Sequence, residues 1–434
     1  MIKFLGILIG LVALDLYFFP IEFTFLPAGI NSKMILAGVG ILCFIYNTIR
    51  NREMTFNSDD IQLIGLVMLI SLLGLASMTY NGTFDDAYAT YFISAGTWIM
   101  GAYATINYLN FVHKKTTWQI LLHYLVFICV FQCVIAKWID MSPALSDFID
   151  AYFKFGQQSY RDLERLYGIG AALDVAGIRF SAVLVLMFYF LSDDKHPKSN
   201  WTYFIYMLSI IIITGLGNII GRTTTVGAGL GLIYFLWISL QQGTTLRGNF
   251  LKTWLWFFFT LLITIPIFVF FYQTDEGFHE NMRFAFEGFF SLVEKGTWEV
   301  DSNEILKDMY VYPETLKTWI IGDGYFSSAR NDPHYLGEIT AGFYMGTDVG
   351  YLRFIFYFGI LGLAAFASFI IKSAVVCSKK IPHSGMIMLL LLATNFIVWF
   401  KVSTDIFLVF ALLLCLPSQK EEEAPVELLA EEKS

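Results

Sequence analysis

A succession of apolar runs, each near the length that crosses a bilayer, constrains this chain more than any other feature. About twelve runs occur, at residues 3–26, 33–49, 61–79, 88–111, 118–138, 177–192, 201–220, 224–240, 253–272, 349–371, 384–400 and 403–416. Only 15% of the residues are charged, against about 25% in soluble domains. The sequence therefore predicts an all-α polytopic membrane protein with about twelve transmembrane helices, and it excludes a soluble multidomain protein.

Two long polar segments divide these runs into three groups. The predicted organisation is helices 1–5 in 1–139, a first loop in 140–176, helices 6–9 in 177–272, a large loop in 273–348, helices 10–12 in 349–416 and an acidic tail in 417–434. The large loop holds 14 Asp and Glu against 5 Lys and Arg, a net charge of −9. Within it we expect an amphipathic helix over 278–294 and a second helix over 302–319, interrupted at Pro313.

The short loops predict the orientation of the chain. Lys and Arg occupy alternate loops, at 50–52, 113–115, 195–198, 247–252 and 372–380, whereas 27–32 and 80–87 carry none. Because Lys and Arg accumulate in cytoplasmic loops, we expect both termini in the cytoplasm and both long loops on the opposite side. Residues 1–20 lack a small-residue cleavage site, so we expect them to form the first span rather than a cleaved signal.

Three arginines, Arg165, Arg179 and Arg222, lie at the predicted extracytoplasmic ends of spans. Ionisable groups at membrane depth are costly and point to function. Arginine suits phosphate because its planar donors match the oxygens bidentately and its charge is permanent. Converging on one cavity, the three would bind a pyrophosphate. Each alone is also explained by snorkelling to lipid head groups or by pairing with Asp174 or Glu164. No basic patch suited to nucleic acid occurs.

The stretch 319–363 joins a glycine-rich polar loop to an apolar helix and carries the candidate acid–base groups. His334 is a candidate base, since its ordinary pKa is near ~6.5. Asp348 is a second candidate at the start of the helix, where it equally fits a helix cap. Tyr335, Tyr351 and Arg330 are candidate glycan-binding residues, although an interfacial aromatic belt also explains the tyrosines.

The five cysteines predict no metal site. Cys43, Cys129, Cys133, Cys377 and Cys415 all lie in apolar runs or at their ends. Such positions favour small buried apolar side chains over a disulfide framework or a zinc site. We also find no glycine-rich nucleotide-binding motif, and we expect no cofactor. The sequence shows no internal repeat.

Four short motifs, taken in order, resemble those of the bacterial O-antigen polymerase and O-antigen ligase superfamily. They are Arg165-Leu-Tyr-Gly168 followed by Asp174, Gly221-Arg222-Thr223, Trp319-Ile-Ile-Gly322-Asp-Gly324, and Thr347-Asp348-Val-Gly350-Tyr351 followed by Phe358-Gly359-Ile360. The predicted topology also resembles that superfamily over nearly the whole chain, with one large extracytoplasmic loop late in the sequence.

The resemblance implies a metal-independent glycosyltransferase of the bacterial cytoplasmic membrane. Its donor would be an oligosaccharide on undecaprenyl pyrophosphate, held by Arg165 and Arg222 and, less directly, by Arg179. His334 would correspond to the histidine that activates the acceptor hydroxyl in the ligases. Membrane lipids surround such an enzyme, and a chain-length regulator protein is a further candidate partner.

Three functions remain open on the sequence. We expect first a polymerase that joins lipid-linked repeat units into O-antigen, capsule or exopolysaccharide. The second is a ligase that transfers the finished glycan to an acceptor. The third is a transporter or flippase of the lipid-linked glycan, which is disfavoured because transporters carry charge deep in several spans and often show internal repeats.

Overall fold

A computed structural model describes residues 2–52, 57–154, 165–193, 198–241, 249–333, 335, 337, 339–340 and 342–418. These residues form a helical bundle with one short antiparallel sheet, in which β1 (Glu22–Phe23) pairs with β2 (Phe153–Lys154). Most of the predicted acidic tail, 419–434, lies outside the described residues.

The described residues contain seventeen α-helices. In chain order they are α1 Ile2–Phe18, α2 Ser32–Asn51, α3 Ser58–Asn81, α4 Tyr91–His113, α5 Trp118–Met141, α6 Pro143–Tyr152, α7 Leu173–Ser192, α8 Asn200–Ile220, α9 Thr224–Gln241, α10 Asn249–Thr274, α11 Glu276–Ala285, α12 Glu287–Lys295, α13 Asp301–Asp308, α14 Leu316–Ile320, α15 Gly350–Lys380, α16 Gly385–Val398 and α17 Phe407–Leu414. Two 3₁₀ turns, Ala329–Asn331 and Tyr344–Gly346, lie between α14 and α15.

Eight of the described helices are long and apolar enough to cross a membrane. They are α2, α3, α5, α7, α8, α9, α10 and α15. The prediction of an all-α, multi-pass membrane protein is therefore confirmed. α16 is apolar but has only 14 residues.

Local sequence signals set several helix boundaries. The Asn57 side chain accepts from the Asp60 N–H at 2.9 Å, and the Asp60 carboxylate accepts from the Asn57 N–H at 3.2 Å. This reciprocal pair satisfies two free donors at the start of α3. The helix ends at Gly82, whose φ of +67° favours glycine. At the starts of α5 and α8, the Thr117 and Ser199 hydroxyls accept from the backbone N–H groups of Ile120 and Thr202, without the reciprocal bond.

The central helix α7 is buried along 89% of its apolar stretch. Small residues let its neighbours approach closely. The Ser181 hydroxyl donates to the Thr223 carbonyl at 2.6 Å and accepts from the Gly227 N–H at 3.0 Å. Gly177 lies directly against Gly221. The turn between α8 and α9 is thereby fixed to the centre of the bundle.

Helix α15 is broken near its first third, at Phe358 and Gly359. Gly359 has a φ of +68° and lies against the Ile320 carbonyl, so a side chain has no room there. The break frees carbonyls, and the Tyr357 carbonyl accepts from the Gly324 N–H at 3.1 Å and from the Ser77 hydroxyl at 2.6 Å. Loop 320–324 and α3 are both anchored on this break.

A second break separates α16 from α17. Residues 402–406 are not helical, and the Asn395 side chain accepts from the Ile406 N–H at 3.1 Å. The Trp399 indole donates to the Thr404 carbonyl at 2.9 Å. Non-helical backbone that is shielded from water requires such partners, because an unpaired buried N–H or C=O group is costly. The two apolar runs expected at 384–400 and 403–416 thus form two short helices, and side-chain hydrogen bonds hold the turn between them.

The large loop contains shorter helices than expected. The single helix predicted over 278–294 is wrong, because Phe286 (φ −118°, ψ 29°) separates α11 from α12. The helix predicted over 302–319 with an interruption at Pro313 is two helices, α13 and α14, and Pro313 lies in the non-helical residues 309–315 between them. The bend at Phe286 lets both α11 and α12 turn an aromatic face towards α10.

Candidate active site

The end of the bundle that carries 275–349, here called the loop face, gathers most of the predicted site residues. Arg165 lies on a segment fixed by α5 and α6. The Gln132 amide of α5 donates to the Ile169 carbonyl at 2.9 Å, and the hydroxyls of Tyr167 and Ser146 are 3.2 Å apart. A Cβ at Gly168 would lie 2.4 Å from the Gln132 side-chain oxygen, so a larger residue there would displace the Gln132 amide.

Arg222 lies on the turn between α8 and α9. Its Nη2 is 2.9 Å from Glu287 Oε2, and its Nη1 donates to the Ser302 hydroxyl at 2.7 Å. The guanidinium carbon lies 4.1 Å from the centre of the Phe284 ring. Arg222 is therefore an anion-binding group whose place for an anion is taken by Glu287, the first residue of α12.

Arg165 and Arg222 face the same ring and line the same cavity. The Arg165 guanidinium carbon lies 5.4 Å from the Phe284 ring centre. The shared cavity, here called the arginine cleft, has a volume of about 480 Å³. Arg165 also lines a neighbouring cavity of about 520 Å³. The structure thus brings together the two arginines that the sequence separates by more than fifty residues.

Some of the cations that line the arginine cleft pair with a carboxylate of the protein, and Arg165 does not. Arg283 pairs with Glu294 at 2.7 Å, and Lys295 pairs with Glu299 at 2.7 Å. Within the part of the chain that the structure describes, Arg165 has neither a hydrogen bond nor an ion pair. Burial lowers the pKa of Arg165 from its ordinary value. A partly buried cation of this kind favours a bound anion.

Lys401, in the turn after α16, connects the arginine cleft to Asp348. It lines a cavity of about 200 Å³ together with Arg222. Its ammonium interacts electrostatically with Asp174, Arg222, Arg165 and Asp348, and burial lowers its pKa. Lys401 therefore adds a third positive charge that interacts both with the arginines and with the candidate base.

Asp348 stands immediately before α15 and is held by Arg353. The closest carboxylate oxygen is 3.7 Å from Arg353 Nη1, and the aspartate side chain is 32% exposed. Burial raises the pKa of Asp348 to about 6, with Asp174 adding to the rise and Arg353 and Lys401 opposing it. Val349 is the N-cap of α15, without a side-chain cap bond. A carboxyl group with this pKa suits proton transfer near neutral pH.

Arg353 is the most heavily engaged cation of the site. Its guanidinium lies between two rings, 3.9 Å from the centre of Phe326 and 3.5 Å from that of Phe343. It donates to the Ser403 hydroxyl at 2.7 Å and to the Phe326 carbonyl at 3.1 Å. Arg353 thus ties α15, loop 319–348 and the 402–406 turn together. We call Arg353 and these partners the arginine hub.

The arginine hub reaches the loop between α3 and α4. The Asp85 carboxylate accepts from the backbone N–H groups of Phe326 and Ser327, both at 2.8 Å. The Tyr357 hydroxyl donates to the Asp85 carbonyl at 2.8 Å. Asp85 therefore ties both loop 319–348 and α15 to the loop between α3 and α4.

Tyr335 belongs to a cluster of three tyrosine rings in the same loop. Tyr325 and Tyr344 stack at 5.0 Å, and Tyr335 meets Tyr325 edge-on at 5.3 Å. The Tyr325 hydroxyl donates to Asp332 at 2.8 Å. Arg330 is exposed beside this cluster. Half-exposed rings with nearby carboxylates suit sugar rings, which present both C–H faces and hydroxyls.

Two predicted residues take other positions. The Tyr351 hydroxyl donates to the Phe396 carbonyl at 2.9 Å, and its ring packs on Trp399 and Phe400, so it holds α15 against α16. Arg179 lies about two turns into α7, with its guanidinium over the Phe19 ring at 5.8 Å. The described structure groups Arg179 with Lys33, Tyr17 and Asp405 rather than with the arginine cleft.

His334 lies outside the described residues. Among the described residues, no group of three or more His, Cys, Asp or Glu side chains could hold a metal ion, and the five cysteines are free thiols.

Sequence reasoning missed Arg353, Lys401 and Glu287. Arg353 carries the clearest signal, because it is a charge inside an apolar run, five residues after Asp348. Lys401 also interrupts an apolar stretch. Glu287 gives no signal of its own, since its role depends on how α12 folds back over Arg222.

Comparison of the chain with family models, with curated proteins and with solved structures finds no match.

Proposed function

We propose that this protein is an integral-membrane glycosyltransferase of the O-antigen polymerase and ligase type, and that it polymerises oligosaccharide repeat units linked to undecaprenyl pyrophosphate. The observation that carries the proposal is that Arg165 and Arg222 line one cleft, while Lys401 lines a cavity with Arg222 and interacts electrostatically with Asp348. The site combines groups for an anionic leaving group with a carboxyl group suited to proton transfer.

The proposed reaction needs only these groups. A hydroxyl of the acceptor sugar attacks the anomeric carbon of the donor, and the bond from that carbon to the pyrophosphate oxygen breaks. Asp348 accepts the hydroxyl proton. Arg165 and Arg222 stabilise the charge that develops on the leaving pyrophosphate, with Lys401 alongside. The tyrosine cluster, with Tyr335 and Arg330, would hold the glycan.

The proposal includes the finer topology. In the proposed topology of twelve spans, the eight long helices are joined by α1, by α4, by the short α16 and by residues 402–416, which include α17. With both termini in the cytoplasm, the loop face lies on the outer side of a bacterial cytoplasmic membrane, where lipid-linked repeat units are joined. The alternating Lys and Arg of the short loops support this orientation.

Deletion of the gene tests the proposal against its two rivals. A lost polymerase leaves single repeat units on the final acceptor. A lost ligase instead leaves long chains on the carrier lipid, and a lost flippase leaves repeat units facing the cytoplasm. We expect single units, together with restored polymer when wild-type protein is supplied. Long lipid-linked chains or inward-facing units would overturn the polymerase assignment.

A further inference from the structure

An apolar groove lies beside the arginine cleft, at the outer end of α10. Its cavity has a volume of about 410 Å³ and is lined by Phe268, Val269 and Tyr272 of α10, by Phe278 and Met282 of α11, and by Phe286, Phe289, Phe290 and Val293 at and after the bend. We call it the aromatic groove. It contains no charged lining residue.

The aromatic groove opens towards lipid. Helix α10 is peripheral, with only 6% of its apolar stretch buried inside the protein. Val293 and Phe289, on the opposite wall, are 84% and 57% exposed. A long hydrocarbon chain in the membrane can therefore enter the groove from the side, without crossing the protein.

The aromatic groove and the arginine cleft share a wall. Phe290 lines both. Phe286 and Phe289 line the groove and also the smaller cavity that contains Arg222 and Lys401. The Phe290 ring therefore separates the two cavities. A molecule with an anionic head and an apolar tail can place its head in the cleft and pass its tail over this ring into the groove.

We infer that the aromatic groove binds the polyprenyl tail of the lipid whose pyrophosphate occupies the arginine cleft. The identity of the head group rests on the proposed function. The adjacency of the two cavities, which share Phe290, and the cation of Arg165, which pairs with no carboxylate among the described residues, favour an anionic lipid over a second protein. The mostly aromatic lining suits a methyl-branched alkene chain, whose C–H groups meet the electron-rich ring faces.

Photo-crosslinking in the whole protein tests this binding without requiring turnover. The variant Phe289→benzoylphenylalanine is placed in vesicles of phosphatidylethanolamine and phosphatidylglycerol with radiolabelled undecaprenyl pyrophosphate. The matched control is Phe270→benzoylphenylalanine, which is 60% exposed on α10 but does not line the groove. We expect labelling at position 289 to exceed that at 270 by about tenfold and to be abolished by unlabelled undecaprenyl pyrophosphate. Equal labelling, or labelling that resists the competitor, would mean bulk lipid only and would overturn the inference.

A groove-filling substitution gives an independent measurement. Val293→Trp narrows the groove, whereas Leu292→Trp adds the same side chain to an exposed neighbour outside it. Val293→Trp should weaken the binding of undecaprenyl pyrophosphate about tenfold relative to Leu292→Trp and leave the binding of short-chain citronellyl pyrophosphate unchanged. Equal affinities of the two variants for the long-chain lipid would contradict the groove assignment.

These outcomes are separable from those of the proposed function. A groove that binds undecaprenyl pyrophosphate in a protein whose deletion leaves polymer length intact would retain the inference and remove the polymerase. Shortened polymer in the deletion strain, without specific labelling at position 289, would retain the polymerase and remove the groove.

Discussion

Arg353 and Arg165 occupy the same face of the molecule in opposite circumstances. Arg353 lies between the Phe326 and Phe343 rings, makes two hydrogen bonds and faces Asp348. Among the described residues, Arg165 contacts one ring, that of Phe284, and pairs with no carboxylate. A cation whose contacts are all supplied by the protein stabilises structure, whereas a partly buried cation without an anion favours a ligand.

The largest effect on stability and activity should come from replacing Arg353, the cation with the most contacts to the protein. Arg353→Gln leaves two aromatic rings and a partly buried Asp348 without their partner. We expect the free energy of unfolding to fall by about 3 kcal/mol, together with loss of polymer. Thermal unfolding of the purified protein in detergent measures the first, and glycan chain length in complemented cells measures the second.

Arg353→Lys is the matched control. It keeps the charge beside Asp348 but cannot stack between two rings as a planar guanidinium does. It should recover part of the lost stability. Wild-type unfolding of Arg353→Gln would show that the arginine hub does not hold the loop.

Asp348 faces Arg353 and also interacts electrostatically with Lys401, which lines a cavity with Arg222. Its titration therefore tests whether this carboxyl group takes part in the reaction. Its raised pKa of about 6 means that the carboxylate form fills as the pH rises through that value. If Asp348 is the base, the rate of polymerisation should rise with pH through about 6. Lys401→Met removes a charge that lowers this pKa, so the rising limb should move to higher pH. The measurement is the initial rate of polymerisation as a function of pH. An unchanged profile in Lys401→Met would mean that a group other than Asp348 accepts the proton.

The smallest effect concerns Glu287, the anion that Arg222 holds in the described structure. Glu287→Gln removes a carboxylate that competes with a phosphate for the same guanidinium. We expect KM for the lipid-linked donor to fall about threefold to tenfold, with kcat nearly unchanged. A drop in kcat at constant KM would instead mean that Glu287 positions Arg222. Glu304→Gln, which unpairs Lys307 outside the arginine cleft, serves as the control.

Much of the fold can be predicted from two local patterns, the lengths of the apolar runs and the positions of Lys and Arg in the short loops. Apolar runs near ~20 residues gave the long helices, and the side of the membrane assigned to Arg165 and Arg222 placed them together. The tendency of arginine to bind phosphate directed attention to the same two residues. The pair is brought together by Phe284, to which no pattern drew attention.

Other features depend on tertiary contacts that no local pattern carries. The break at Gly359 lies inside an uninterrupted apolar run, and only its packing against Ile320 explains it. The sequence predicts Arg179 at the same end of the bundle as Arg165 and Arg222, whereas in the structure it lies about two turns into α7. Arg353 is visible in the sequence as a charge inside an apolar run, but its role depends on the Phe326 and Phe343 rings, which loop 319–348 brings to it.

Reconstitution with lipid-linked repeat units tests the central claim most directly. The units are extracted from the deletion strain and added to vesicles that contain either wild-type protein or the Arg165→Gln variant. We predict that wild-type protein makes a ladder of longer glycans, and that Arg165→Gln makes none although its unfolding temperature is unchanged. A wild-type protein that leaves the units unjoined, or an Arg165→Gln variant that makes the same ladder, would contradict the assignment of the arginine cleft.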